Sequence, residues 1–337
     1  IEKRIASRSA AALSRELDAA RASLRFLEVR VARPTRAVPD VVRRGVDEHL
    51  ASLAAWAEAA GLGALAKRHG ARAIELAAWA QDDSGGCQTG ALRLASGDVL
   101  AWHTEEDTIG LFDKPRVLTM RVDGVARSAF LYPYLLPGPA FGFRRDRFHA
   151  VDTLHVDRRR GGAGSLTSVA SWLVWRLDDD IPPREVLRAL APFSDACAIV
   201  VVDANPGGVA AHVHEVGARF VETRALGRRP GDRLFQANAV SDSTSPLGRV
   251  EALGARRRRP YEARARRDAV GIERLGVSAD LDGVRDVLAS RAGRGYAYAN
   301  ADVVAHAITL VSRSGLEVHV GAGAATRGSA LQLERAT

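Results

Sequence analysis

The 337-residue chain is poor in cysteine, lysine and methionine, and each shortage excludes something. Two cysteines, Cys87 and Cys197, cannot build a disulfide framework, so a stapled secreted scaffold is excluded and a reducing cytoplasm is expected. No run of about 18 uncharged apolar residues occurs, which argues against a membrane-spanning helix. No charged start followed by an apolar core and a small-residue cleavage site is read either. Lysine is found only at Lys3, Lys67 and Lys114, so the net charge of +8 is carried almost wholly by arginine. That balance invites a nucleic-acid reading. The densest run, "GARRRRPYEARARR", lacks the interleaved aromatics of a base-stacking surface, and aromatics make up only 6% of the chain. An arginine and alanine excess also follows from GC-rich coding. A nucleic-acid partner is therefore not expected, and the run reads as a solvated face or as a dock for an acidic partner.

What is present is a change of character near residue 86. Before it the chain reads as helix: "AAALSRELDAARASLRFLEVR", "PDVVRRGVDEHLASLAAWAEAAG" and "ARAIELAAWAQ" carry apolar residues at helical spacing, with Pro34 and Pro39 as breaks. The cluster from Asp82 to Gly86 reads as a loop. From Cys87 onward the period becomes two. "CQTGALRL" and "DVLAWHTEED" flank a Ser96-Gly97 turn, and "RVLTMRV" and "VARSAFLYP" flank Asp123-Gly124, so two hairpins are predicted. Helices are predicted at "SLTSVASWLVWRLDD", "PREVLRALAPF", 246–259 and 281–291, and strands at "ACAIVVVDANPGGVAAHVHEVG", "ARFVETRAL", "RLFQANAV" and "VVAHAITLVSRSGLEVHVG". Strand groups alternate with helix pairs, which favours an α+β sandwich of two stacked, mainly antiparallel sheets with helices outside. The division is a helical segment over 1–86 and a second unit over 87–337.

Cys87 stands directly behind Gly85 and Gly86 at that seam. A thiol attacks as thiolate and needs a base. No papain-type signature surrounds it. The other solution is an N-terminal cysteine whose own α-amine, with a reference pKa of about 7.7–8.0, takes the proton. This requires the Gly86–Cys87 bond to be broken first. Paired glycines would permit a strained backbone there, letting sulfur reach the preceding carbonyl. The alternative is a small buried hydrophobe at a strand start. Cys197, inside "ACAIVVV", reads as core.

From Cys87 to about Gly323 the chain resembles the isopenicillin-N acyltransferase and β-alanyl-dopamine hydrolase family of N-terminal-nucleophile enzymes. "GC" followed by "AWHTEED" is similar to that family's "GHNED" or "GRNxDW". "LLPGPAFGF", "VVVDANPGGVAAHVHEVG", "FQANAV" (similar to "HTNHF"), "SPLGRVEAL" (similar to a serine before "RYExL") and "HAITLVSRSGLEVHVGAG" follow in the family's order. The resemblance implies a four-layer αββα fold and self-cleavage at Gly86–Cys87 into fragments that stay associated. It implies an amidase or acyltransferase working through a thioester on Cys87, with no cofactor. It assigns Asn238 to the oxyanion, one of Glu105, Glu106 and Asp107 to orienting the amine, with Glu106 favoured, and Ser245 and Arg249 to the site. The chain departs from the family at Thr104, Ala239, Val240 and Arg144. Arg144 replaces an asparagine where substrate is expected and hints at an anionic substrate group; the alternative is that it joins Arg145 and Arg147 on the outside.

Tyr132 and Phe141, in the Pro-, Gly- and aromatic-rich "FLYPYLLPGPAFGFRRDRF", are read as pocket-lining residues beside Arg144. His103 is read as a second base on the substrate side or as an ordinary strand histidine. His212 and His214 share a strand face but lack a third ligand nearby, so no metal is expected. "RRRGGAGSLTS" lacks the Walker lysine, so no nucleotide is expected. The substrate is expected to be a small-molecule amide or acyl compound, and homo-oligomerisation is left open. The competing reading is a non-catalytic binding protein of the same fold that docks an acidic partner such as a carrier protein.

Overall fold

Alternation of apolar and polar residues builds two sheets in the computed structural model. It describes most of residues 86–106, 116–131, 140–154, 183–191, 196–251, 272–289, 303–322 and 333–335, with isolated positions elsewhere. Within the N-terminal segment, Ala51, Ala54, Ala55 and Glu58 are helical, as is α1 (Gly63–His69). The tracts expected to be helical over 10–30 and 71–81 lie outside the described residues.

The two hairpins form where expected. β1 (Gly86–Arg93) pairs with β2 (Val99–Glu106) around Gly97, whose φ of 87° suits a residue without a side chain. β3 (Arg116–Val122) pairs with β4 (Val125–Leu131) around Gly124 at φ 79°. The next segment turns back as β5 (Phe141–Arg144) and β6 (Arg147–Thr153). After α2 (Pro183–Leu190) come the long hairpin of β7 (Cys197–Asn205) and β8 (Gly208–Val216), then β9 (Val221–Ala225) and β10 (Arg233–Gln236). α3 (Pro246–Glu251), α4 (Leu281–Ala289) and the hairpin of β11 (Val303–Ser312) and β12 (Gly315–Ala322) follow. A short β13 (Leu333–Arg335) adds to β3 in parallel; three residues are too few for a periodic signal in sequence.

One sheet runs β10-β1-β2-β11-β12 and the other β13-β3-β4-β5-β6-β7-β8-β9, antiparallel throughout except at β13. Between them lies a core that includes Ala91, Val99 and Ala101 from one sheet and Phe130, Phe141, Phe148, Ala150 and Val200 from the other. The outer face of the larger sheet (Val151, Ile199, Val201) packs on Val186 and Leu187 of α2. The outer face of the smaller sheet (Leu92, Leu100, Trp102, Ile308) packs on Leu281, Val284 and Leu288 of α4. A central strand such as β2 therefore buries both faces. This is why its polar residues, wherever they point, must find partners in the interior. Among the described residues no helix is long and apolar enough to cross a membrane.

Two histidines on the outer face of the larger sheet make the fold acid-sensitive. His149 is fully buried, hydrogen-bonds Ser171 Oγ at 3.1 Å, and is pushed down to about 3 by burial and then by the Arg147 charge. His214 bonds Thr223 Oγ1 at 3.0 Å and is also pushed down to about 3, by burial and then by His212. Above the ordinary value of 6.5 both states are neutral and the stability is fully present. Below it the unfolded chain takes protons that the folded chain refuses until about pH 3. Stability should therefore fall with pH across this window, by up to about 1.4 kcal/mol per pH unit for each histidine. Denaturant titrations from pH 7 to pH 4 check this: His149→Gln and His214→Gln should each flatten the slope.

Candidate active site

Cys87 is the second residue of β1, and the strand period decides what it meets. In an antiparallel pair, opposed residues share a face. Cys87 lies opposite Glu105, and Thr89 opposite His103, on the face that continues into Ala91 and Ala101 in the inter-sheet core. The thiol, the carboxylate, the imidazole and the hydroxyl are thereby gathered between the two sheets without any loop.

The contacts form a chain. The Cys87 thiol donates to Glu105 Oε2 at 3.0 Å. His103 Nε2 lies 3.0 Å from the same oxygen, and its Nδ1 is 2.8 Å from Thr89 Oγ1. An Nε2 that faces a carboxylate carries the proton, so Nδ1 accepts from the Thr89 hydroxyl. Asp152, from β6 of the opposite sheet, brings Oδ1 to 3.8 Å from His103 Nδ1. The Phe141 ring lies 5.8 Å from the imidazole, tilted by 60°, and in turn packs on Phe130. Cys87, His103, Glu105 and Asp152 are all buried.

Asn238 closes the site from the turn after β10. Its Oδ1 accepts from the Cys87 backbone N at 3.3 Å, and its Nδ2 donates to the Thr153 carbonyl at 2.9 Å. That leaves the amide a second N–H for another acceptor. A side-chain network holds the turn: Gln236 Nε2 donates to the carbonyls of Ala237 (2.8 Å) and Ala239 (3.0 Å), and Arg224 bonds Gln236 Oε1 at 2.6 Å. Buried Glu215 accepts from the Ser241 backbone N at 2.8 Å and from its hydroxyl.

Burial, and then the negative fields of Glu105, Asp152 and Glu106, push the Cys87 thiol well above its ordinary value. The resting sulfur is thus a neutral thiol. It can act as a nucleophile only if a neighbouring base removes its proton as it attacks, and Glu105 Oε2 is at hydrogen-bonding distance to do so.

Several expected site residues stand elsewhere. Glu106, the favoured acidic residue, alternates onto the outer face, where Gln88 Nε2 reaches its Oε1 at 3.4 Å; the residue on the thiol's face is Glu105. Counting from Cys87 in strand period would have singled it out. Arg144 points away as well. Phe141 and Phe143 face the inter-sheet core, so Arg144 falls on the opposite face of the sheet, in an ion pair with Asp146 at 2.6 Å. It therefore lies on the face away from the Cys87 cluster. Ser245 caps α3, its Oγ accepting from Gly248 N at 3.0 Å, and Arg249 is exposed on that helix; among the described contacts neither touches the Cys87 cluster. Tyr132 and Asp107 lie outside the described residues. Gly86 runs as strand opposite Glu106, and Gly85 lies outside the described residues. His212 and His214 stack at 6.0 Å on the outer face, apart from the thiol.

Thr89 and Asp152 were not singled out in the sequence. Thr89 is two residues from Cys87 on one strand, and Asp152 continues the inward series Phe148, Ala150 of β6. An acidic residue at an inward position was the available signal. The geometry also separates the two glutamates. Glu105→Gln should slow Cys87 chemistry by about 10²-fold or more, the scale of losing a positioned base, while Glu106→Gln should stay within a few-fold of wild type. The rate at which the expected Gly86–Cys87 cut appears, read by intact mass, follows both.

No family model matches the sequence, and no curated protein matches it.

Proposed function

We propose that the chain is a self-processing amide hydrolase or acyltransferase that uses Cys87 as an N-terminal nucleophile in an αββα sandwich of the N-terminal-nucleophile type. The observation that carries the reading is the placement of Cys87: at the head of an inner-face strand, with Glu105 on its sulfur and Asn238 on its nitrogen.

In the intact chain, Glu105 takes the thiol proton as sulfur attacks the Gly86 carbonyl carbon. The C–N bond breaks, the proton passes to the Cys87 nitrogen, and residues 1–86 are left as a thioester. Water hydrolyses it, giving a Gly86 carboxylate, a free thiol and a free α-amine. The β1 ladder to β2 and β10 keeps Cys87 in place after the cut; the resemblance implies that the two fragments stay together.

In turnover the α-amine, oriented by Asn238 Oδ1, serves as the base. Sulfur attacks the substrate carbonyl, and the second N–H of Asn238 Nδ2 is available to the developing oxyanion. The amine leaves with a proton, the acyl group stays on sulfur, and water or an acceptor amine removes it. Phe141 supplies an apolar wall beside His103 and excludes water. The protein works in the cytoplasm on a small-molecule amide.

Incubation with a mixed N-acyl amide library, acid quench and peptide mass analysis test the reading. An acyl adduct on the peptide that begins at Cys87, discharged by hydroxylamine, is expected. Turnover with no adduct at Cys87 would contradict it.

A further inference from the structure

We propose that Cys87, His103 and Glu105 form a binding site for a thiophilic divalent cation, Zn²⁺, which holds the sulfur and blocks its chemistry. One ligand atom from each of the three lies within 4.8 Å of the others, and all three residues are buried. Sulfur, imidazole nitrogen and carboxylate oxygen form a donor set that suits zinc and disfavours magnesium and calcium. Both short contacts converge on Glu105 Oε2, at 3.0 Å from Cys87 Sγ and 3.0 Å from His103 Nε2. With Zn–S near 2.3 Å and Zn–N and Zn–O near 2.0 Å, tetrahedral ligand atoms stand about 3.3–3.5 Å apart. Each contact need open by only a few tenths of an ångström.

The surroundings fit a metal ligand too. Metal-bound histidines are held at their other nitrogen by a carboxylate or another polar group. Here His103 turns Nε2 toward the cluster while Thr89 Oγ1 lies 2.8 Å, and Asp152 Oδ1 3.8 Å, from Nδ1. On binding, the thiol releases its proton to solvent and the thiolate becomes a ligand. The fourth donor rests on the processing reading: once the Cys87 nitrogen is a free amine, it closes a five-membered N,S chelate. In an uncut chain that nitrogen is an amide and water takes the position.

Metal-free wild-type protein, its processing state fixed by intact mass, is dialysed against Zn²⁺, and separately against Mg²⁺ and Co²⁺. About one Zn²⁺ per chain should be retained and no Mg²⁺. Co²⁺ should give a thiolate-to-metal charge-transfer band in the near ultraviolet, which needs no variant to interpret. Cys87→Ala should abolish the band and the retention, and His103→Gln and Glu105→Gln should weaken binding at least tenfold. No retention by wild type, or equal retention by Cys87→Ala, overturns the site. The two proposals fail separately: a chain that stays uncut while metal-free and then retains added zinc refutes processing alone, and a cut chain without zinc refutes the metal site alone.

Discussion

Cys87→Ala is expected to leave the chain as one uncut polypeptide and to lower turnover of its amide substrate by about 10⁴-fold or more, the scale of removing a nucleophile. Both losses have one cause. The sulfur forms the bond in the cut and again in the acyl transfer, and no other thiol can replace it: Cys197 lies in the apolar cluster on the outer face of the larger sheet. The fold should survive. Removing one sulfur atom costs about 1 kcal/mol, and Glu105 keeps its contact with His103. Denaturation midpoints close to wild type, together with intact mass and kinetics, check all three expectations. Processing in this variant would contradict the assignment.

Asn238→Ala should cost about 10²–10³-fold in kcat, or roughly 3–4 kcal/mol, as expected for loss of one preorganised oxyanion donor. KM should change less, because the charge it meets exists only in the transition state. The variant removes two contacts, to the Cys87 nitrogen and to the Thr153 carbonyl, so Asn238→Asp is the necessary companion. Aspartate keeps the acceptor toward the nitrogen but has no amide N–H. If both variants lose kcat alike, the donor is responsible; a much milder Asp variant would assign the effect to orientation of the amine.

The hairpins were legible because each strand carries a period of two and each turn a glycine that must adopt positive φ: Gly97, Gly124 and Gly208. The same period placed Cys87 at a strand head. What could not be read was the opposite wall of the site. Asp152 approaches His103 from another sheet, and no local pattern records that approach. The register of the acidic trio was misjudged because resemblance, rather than alternation, decided between Glu105 and Glu106. Arg144 shows alternation separating two readings that the sequence leaves open. A charged residue next to an aromatic run suggests a pocket, yet on β5 it alternates away from Phe141 and Phe143 onto the other face.

Intact mass spectrometry of the freshly purified wild-type protein, under denaturing conditions, tests the central claim most directly. Self-processing requires two species, residues 1–86 and residues 87–337, the second beginning at Cys87, with their masses summing to that of the chain plus one water. A single full-length polypeptide in a preparation that turns over an amide substrate would contradict it.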